Sequence, residues 1–328
     1  MNRRQLVASL AATTLVRPGT LLAQSSQLRR IGVMMAIAET DPEGLHRVET
    51  FRRSLADEGW VDGQTVAIET RWYRGNFQIA QDLAKDLVER GVEILMVNGT
   101  PGMDAVRALG TSIPVIFVVV SNPVGAGYVP NLSRPGGNVT GFSTFEPEIA
   151  GKWLQLLSQI VPKLKNVNML LDPKFIGFNS LWRGLEEIAP THGVTPHAAF
   201  ASSLPEIERA LDAMTRQDAP GLVVTPSPVN TVNRKRLIEI ANQKRIPAIY
   251  PFRFYVQEGA LIAYGFDAAD QFKRAGSYVS RILKGEKAGD LPVQAPSLFE
   301  LGINLKTAKA MGLAVPQSLL VGADEIIQ

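Results

Sequence analysis

Seven residues in this sequence place a polar or aromatic side chain just after a run that reads as a β-strand, where backbone N–H groups at helix starts are free to meet a bound molecule. In Asn98-Gly99-Thr100-Pro101 the glycine permits close approach and the proline suits a first helical position. The Thr100 hydroxyl either caps that helix or, with the neighbouring amides, holds a carboxylate. Ser121-Asn122-Pro123 offers a hydroxyl and an amide that either donate to an anion or close a turn on themselves. Asn179 and Ser227 occupy matching places in the second half of the chain. Asn179 contacts a bound molecule or caps a helix, and Ser227, between Pro226 and Pro228, contacts it or stiffens a turn. Asp267 follows Tyr264-Gly265-Phe266 and could pair with an ammonium group, or cap a helix with Asp270 three residues on. Phe252, with Phe175 and Trp72, is the type of ring that stacks on an aromatic guest or fills a core.

Covalent and metal chemistry find little support. The three histidines, His46, His192 and His197, are scattered, and no nucleophile elbow, zinc-protease helix or Walker loop occurs. Gly125-Ala126-Gly127 lacks the third glycine of a dinucleotide loop, and Glu186-Glu187 and Asp57-Glu58 read as solvated helix faces. With no cysteine there is no disulfide, no thiol catalysis and no lipid attachment through sulfur. No catalytic residue, no metal and no cofactor is expected.

The elements that must position these side chains alternate between strand and helix from end to end, the pattern of an α/β fold with parallel sheets. Ile31–Met35, Val66–Tyr73, Val92–Val97 and the doubly apolar Ile113–Val120 read as strands. Leu45, Val48, Phe51 and Leu55, then Ile79, Leu83 and Leu87, recur at helical spacing. A Gly- and Pro-rich segment through Arg134-Pro135-Gly136-Gly137-Asn138 marks a first hinge. A second series follows: Val167–Leu171, Leu222–Val224, Ile246–Tyr250 and Leu261–Tyr264 as strands, and helices at Leu181–Ile188, Arg234–Gln243 and Ala268–Leu283. Ser203-Leu204-Pro205-Glu206 has the spacing of a capping box.

Residues 1–24 differ from the rest. Arg3 and Arg4 precede an uncharged stretch from Gln5 to Val16, which reads as an export signal by the general or the twin-arginine route and implies a periplasmic destination. No later apolar run is long enough to span a membrane, so a protein not inserted in the bilayer is expected. Three of the 34 basic residues and none of the 31 acids lie in that leader, so the remainder balances 31 bases against 31 acids. Basic and acidic residues are interspersed, which argues against a nucleic-acid partner. A chain of this length exceeds one hydrophobic core, and two domains are expected.

Several phrases resemble the ABC-transporter substrate-binding family that includes tryptophan- and tyrosine-binding receptors of the TrpX type. They are Phe51-Arg52-Arg53-Ser54-Leu55 through Gly59-Trp60-Val61-Asp62-Gly63-Gln64, Ile68-Glu69-Thr70-Arg71-Trp72, Asn122-Pro123-Val124-Gly125, Leu132–Ser143, Ile246-Pro247-Ala248-Ile249-Tyr250, and Phe299–Ala310. The resemblance implies a periplasmic binding protein of the type I fold, with two doubly wound lobes joined by a three-crossover hinge. Its lobes are expected at residues 28–143 plus 265–290 and at residues 144–264 plus 291–328. It also implies a small-molecule ligand trapped by closure and delivered to a permease and an ATPase; a monomer is expected, and the strand-end residues Thr100, Ser121, Asn122, Asn179, Ser227, Phe252 and Asp267 are the contacts expected on their own chemistry. A sensor subunit of the same fold and an exported α/β enzyme are the alternatives. The chain has Asn122 where the family usually has Asp, and Asp172–Asn179 departs from the usual turn. The ligand is therefore left open among an amino acid, an aromatic carboxylate and another small carboxylate.

Overall fold

Short apolar runs separated by amphipathic stretches fold as βα units, because a strand buried on both faces needs helices over both. A computed structural model describes residues 28–144, 148–173 and 179–328. The leader and Phe175 lie outside the described residues. The first sheet contains β1 (Arg29–Met35), β2 (Val66–Trp72), β3 (Ile94–Asn98), β4 (Val115–Val120) and β5 (Val139–Ser143). Between them run α1 (Pro42–Asp57), α2 (Phe77–Glu89) and α3 (Thr100–Leu109). Every neighbouring pair is parallel, in the order β2-β1-β3-β4-β5.

The second half continues with α4 (Ile149–Ile160), β6 (Asn166–Leu171), α5 (Asn179–Ile188), β7 (Thr195–Phe200), α6 (Leu204–Met214) and β8 (Pro220–Val224). It goes on through α7 (Pro228–Val232), α8 (Arg234–Gln243), β9 (Ala248–Tyr250), α9 (Phe254–Gln257), β10 (Ile262–Phe266) and α10 (Ala268–Leu283). It ends with β11 (Phe299–Asn304), α11 (Leu305–Met311), α12 (Gln317–Val321) and β12 (Glu325–Ile327). The second sheet has the order β12-β11-β10-β9-β8-β6-β7, and only β11 runs antiparallel to a neighbour, β10.

The chain passes between the two sheets three times. It leaves the first after β5 and returns after β10, where α10 lies along α1 and places Phe272, Ala275, Tyr278 and Val279 in the first core. It crosses again between Gln294, which bridges to Phe142 beside the first sheet, and β11. This is the two-lobed, three-crossover α/β architecture that the resemblance implied.

Local expectations needed correction where backbone proximity, invisible in a hydropathy pattern, decides. On α1 the buried face is Gly44, Arg47, Val48, Phe51 and Leu55, and Leu45 is 52% exposed. A Cβ on Gly44 would stand 2.9 Å from the Trp72 ring, so α1 needs a small residue there to approach the sheet. On α2 the small residues Ala80 and Ala84 face inward with Leu87, while Ile79 is exposed. The Gly- and Pro-rich segment conceals β5, in which Gly141 adopts φ 152° and a Cβ would meet the Phe117 carbonyl oxygen at 2.0 Å. Edge strand β7 has no local signature, because Thr195–Phe200 carries no period-two alternation. The capping box is shifted by one residue: Glu206 accepts from the backbone N–H of Ser202 at 2.7 Å, and Ser203 makes no side-chain cap.

Candidate functional site

At the carboxyl end of β3, Gly99 turns the chain at φ 88° and α3 begins at Thr100 with no side-chain cap. The Thr100 hydroxyl oxygen accepts the backbone N–H of Ser121 at 3.3 Å, and the Ser121 hydroxyl pairs with that of Thr144 at 2.8 Å. All three residues are buried. The two loops that end β3 and β4 are thus tied together behind the start of α3.

Between them, β4 breaks register at Val119, a β-branched residue held at φ 57°. Such a conformation costs about 1–3 kcal/mol and needs its surroundings to enforce it. Gln271 of α10 supplies the restraint: its Oε1 accepts the Val119 N–H at 2.9 Å and its Nε2 donates to the Ser143 carbonyl at 2.7 Å. The bulge lets Val119 pack against the cores of both lobes.

The carboxyl ends of the two sheets face each other across a cleft of about 1160 Å³. Thr100, Asp104 and Arg107 line it from the first lobe, and Asp172, Ser202 and Asn233 from the second. The Tyr128 hydroxyl donates to Asp104 at 2.5 Å, and the Arg107 guanidinium lies 5.9 Å from the Tyr128 ring centre. Burial pushes the Asp104 carboxyl above the usual carboxylate range, against the opposing effects of Tyr128 and Arg107. Burial and the adjacent Asp104 likewise push the Tyr128 hydroxyl upward.

Thr100 also lines a second, much smaller cavity of about 20 Å³ with Asn98 and Arg47 from the first lobe and Thr231 and Phe252 from the second. A third hollow of about 310 Å³ is bounded by Phe252, Asp267, Glu43, Arg234 and Glu300. On its wall, Arg234 of α8 grips Asp41, the residue before α1.

The structure brings together only part of the expected set. Thr100 and Phe252 share the small cavity, and Ser121 stands one hydrogen bond behind Thr100. Asn122 is exposed at φ 43°, and its side-chain oxygen accepts the Gly125 N–H at 3.0 Å, closing the turn. Ser227 is fully buried and caps α7 through the Asn230 N–H at 3.2 Å. Asp267 caps α10 through the Ala269 N–H at 2.8 Å and lines the third hollow, apart from Thr100. Asn179 begins α5 on an exposed face, and Trp72 packs against the first core.

Arg47, Asp104, Arg107 and Tyr128 were not singled out beforehand. Arg47 had a signal: it stands four residues before Phe51 and eight before Leu55, a lone cation on an otherwise apolar helix stripe. The others sit within a helix and a loop, where only the tertiary fold turns them toward a common space.

Among the described residues no group of three or more His, Asp or Glu is arranged to hold a metal, and no helix is long and apolar enough to cross a membrane. A family profile described as ABC transporter substrate binding protein matches residues 30–327. A tyrosine-binding protein of Clostridioides difficile (strain R20291) is 26% identical over 269 residues, covering 80% of this chain and 75% of that protein. A Vibrio cholerae conserved domain protein of known structure aligns with a TM-score of 0.85 at 26% identity, over 92% of this chain and all of the other. The ABC domain of Streptococcus pneumonia in complex with L-Trp aligns with a TM-score of 0.85 at 25% identity, again over 92% and 100% of the two chains.

Proposed function

Because this chain belongs to the ABC transporter substrate-binding protein family, a family of solute binders and not of enzymes, we propose that it is the periplasmic receptor of an importer. The ligand is a small organic solute, an amino acid or an aromatic or other small carboxylate, held between the lobes and handed to the permease. Members serving importers are generally exported, and the arginine-paired leader supports that route here.

One observation carries the reading: the cleft of about 1160 Å³ is lined from the carboxyl ends of both sheets, the place where open α/β sheets bind ligands. It is large enough for a solute of amino-acid size. Contacts from both lobes let a ligand favour the closed arrangement, the differential affinity that any closure requires. The packing of α10 on α1 supports hinge crossings near residues 143, 265 and 290. Of the expected contacts, Thr100 and Phe252 are retained as candidates, since both border interlobe space. The relatives' ligands, tyrosine and L-Trp, make aromatic amino acids the first compounds to test.

A thermal-shift screen of amino acids, aromatic acids and sugars checks the reading, because a ligand bound only by the folded chain raises Tm. Saturable stabilisation that is lost when Val232→Trp, at an exposed position on the cleft wall, fills the cleft is expected. Stabilisation unaffected by that substitution would place the ligand elsewhere.

A further inference from the structure

The small cavity beside Thr100 has an unusual wall. Arg47 lies on α1 and is only 3% exposed. Its Nε donates to Glu43 at 2.7 Å, and its guanidinium carbon lies 5.7, 5.8 and 6.0 Å from the ring centres of Phe252, Phe254 and Phe272. Its Nη2 is buried and has no hydrogen-bond partner among the described residues. Cation–π contact offsets part of the desolvation of a guanidinium, but it does not satisfy a buried N–H.

The neighbouring groups point the same way. The start of α3, where the Tyr73 hydroxyl takes the Gly102 N–H at 3.1 Å and the Gly99 carbonyl takes that of Met103, still brings the Thr100 N–H and the positive end of a ten-residue helix to the same space. The Thr100 oxygen is already an acceptor for Ser121, which leaves its proton to donate. Asn98 does not compete, since its oxygen accepts from Ala36 and its nitrogen donates to the Val118 carbonyl. About 20 Å³ admits the oxygen end of a carboxylate, roughly one water-sized group, and not a whole solute.

We propose that Arg47, with Thr100 and the start of α3, forms a carboxylate subsite. It holds the acid group of the ligand while the rest of the molecule lies in the wide cleft that Thr100 also borders. The proposal rests on the interlobe reading of the preceding subsection and narrows it: the ligand is an acid, and its charge is read by Arg47. Phe252 and Phe254 of the second lobe lie against the guanidinium, so the subsite is complete only when the second lobe is closed.

The test compares acids with their amides: L-tryptophan, L-tyrosine, phenylacetate and benzoate, each beside its carboxamide, titrated against the wild type, Arg47→Gln and Arg47→Lys. At least one acid should bind the wild type about 30-fold more tightly than its amide. Arg47→Gln should lower the affinity for that acid about 30-fold or more and leave the amide within about threefold, and Arg47→Lys should restore part of the difference. The Tm of the unliganded Arg47→Met, Glu43→Gln double variant, expected at or above the wild-type value, separates a lost contact from a lost fold, because it removes the unpaired donor together with the carboxylate that pairs with it. An acid-to-amide ratio unchanged in Arg47→Gln overturns the assignment. So does a wild type stabilised by none of the acids; if an amide or another solute then binds and Val232→Trp, on the exposed cleft wall, abolishes it, the interlobe reading stands while the carboxylate subsite falls.

Discussion

Arg234 of the second lobe holds Asp41 of the first through both guanidinium ends, with Nη2 to Oδ1 at 3.0 Å, while its Nε donates to Glu258 of its own lobe at 3.0 Å. Arg234 and Asp41 are 5% and 11% exposed, so water screens this bridge little. Asp41 also caps α1 by accepting the Glu43 N–H, which fixes its carboxylate toward the other lobe. The pair therefore ties the first lobe to the second without any ligand.

Asp41→Asn keeps the cap and removes the charge. We expect the substitution to cost closure about 1–2 kcal/mol, and hence to weaken ligand binding about 5- to 30-fold. Small-angle scattering of the unliganded variant should give a larger radius of gyration than the wild type. Unchanged scattering and affinity would show that the bridge does not bias the lobes.

Thr100→Val removes the acceptor of the buried Ser121 N–H. The expected loss is about 1–2 kcal/mol of stability by denaturant unfolding, the cost of one orphaned donor. Thr100→Ser should keep that stability. If the hydroxyl also meets the ligand, the valine variant loses affinity as well, and calorimetric titration separates the two effects.

Gly141→Ala should be among the most damaging single changes in the first lobe. A methyl group there collides with the Phe117 carbonyl, in a backbone conformation that only glycine adopts readily. A destabilisation of about 3 kcal/mol or more is expected from denaturant midpoints. A neutral result would mean that β5 does not pair with β4 at this register.

Asp104 supplies a pH dependence. Its folded carboxyl is raised, chiefly by burial. Its contribution to stability is therefore fully present below the ordinary carboxylate range and is lost as pH rises through the raised value. Asp104→Asn keeps an acceptor for Tyr128 and removes the titration. Between about pH 3 and pH 8 the wild-type Tm should fall relative to that of the variant, and parallel calorimetric profiles would contradict this.

The alternation of apolar runs with helical stripes determined the α/β class, and the ordered phrases along the chain determined the family. Both are properties of local pattern, since burying a strand on two faces dictates its composition wherever it lies. Thr100 was legible for the same reason, because a strand end followed by Gly-Thr-Pro must start a helix with free N–H groups. The tertiary structure alone decided which strand ends share a space. Asp267, Asn122 and Ser227 have the right residue types in the right places along the chain, yet their side chains are used by α10, by a turn and by α7. Arg47 sits on a helix stripe that pattern assigns to the core, and it borders the interlobe cavity only because Phe252, more than two hundred residues further on, is folded over it. Hydropathy records whether a residue is buried; what buries it follows from how distant segments pack.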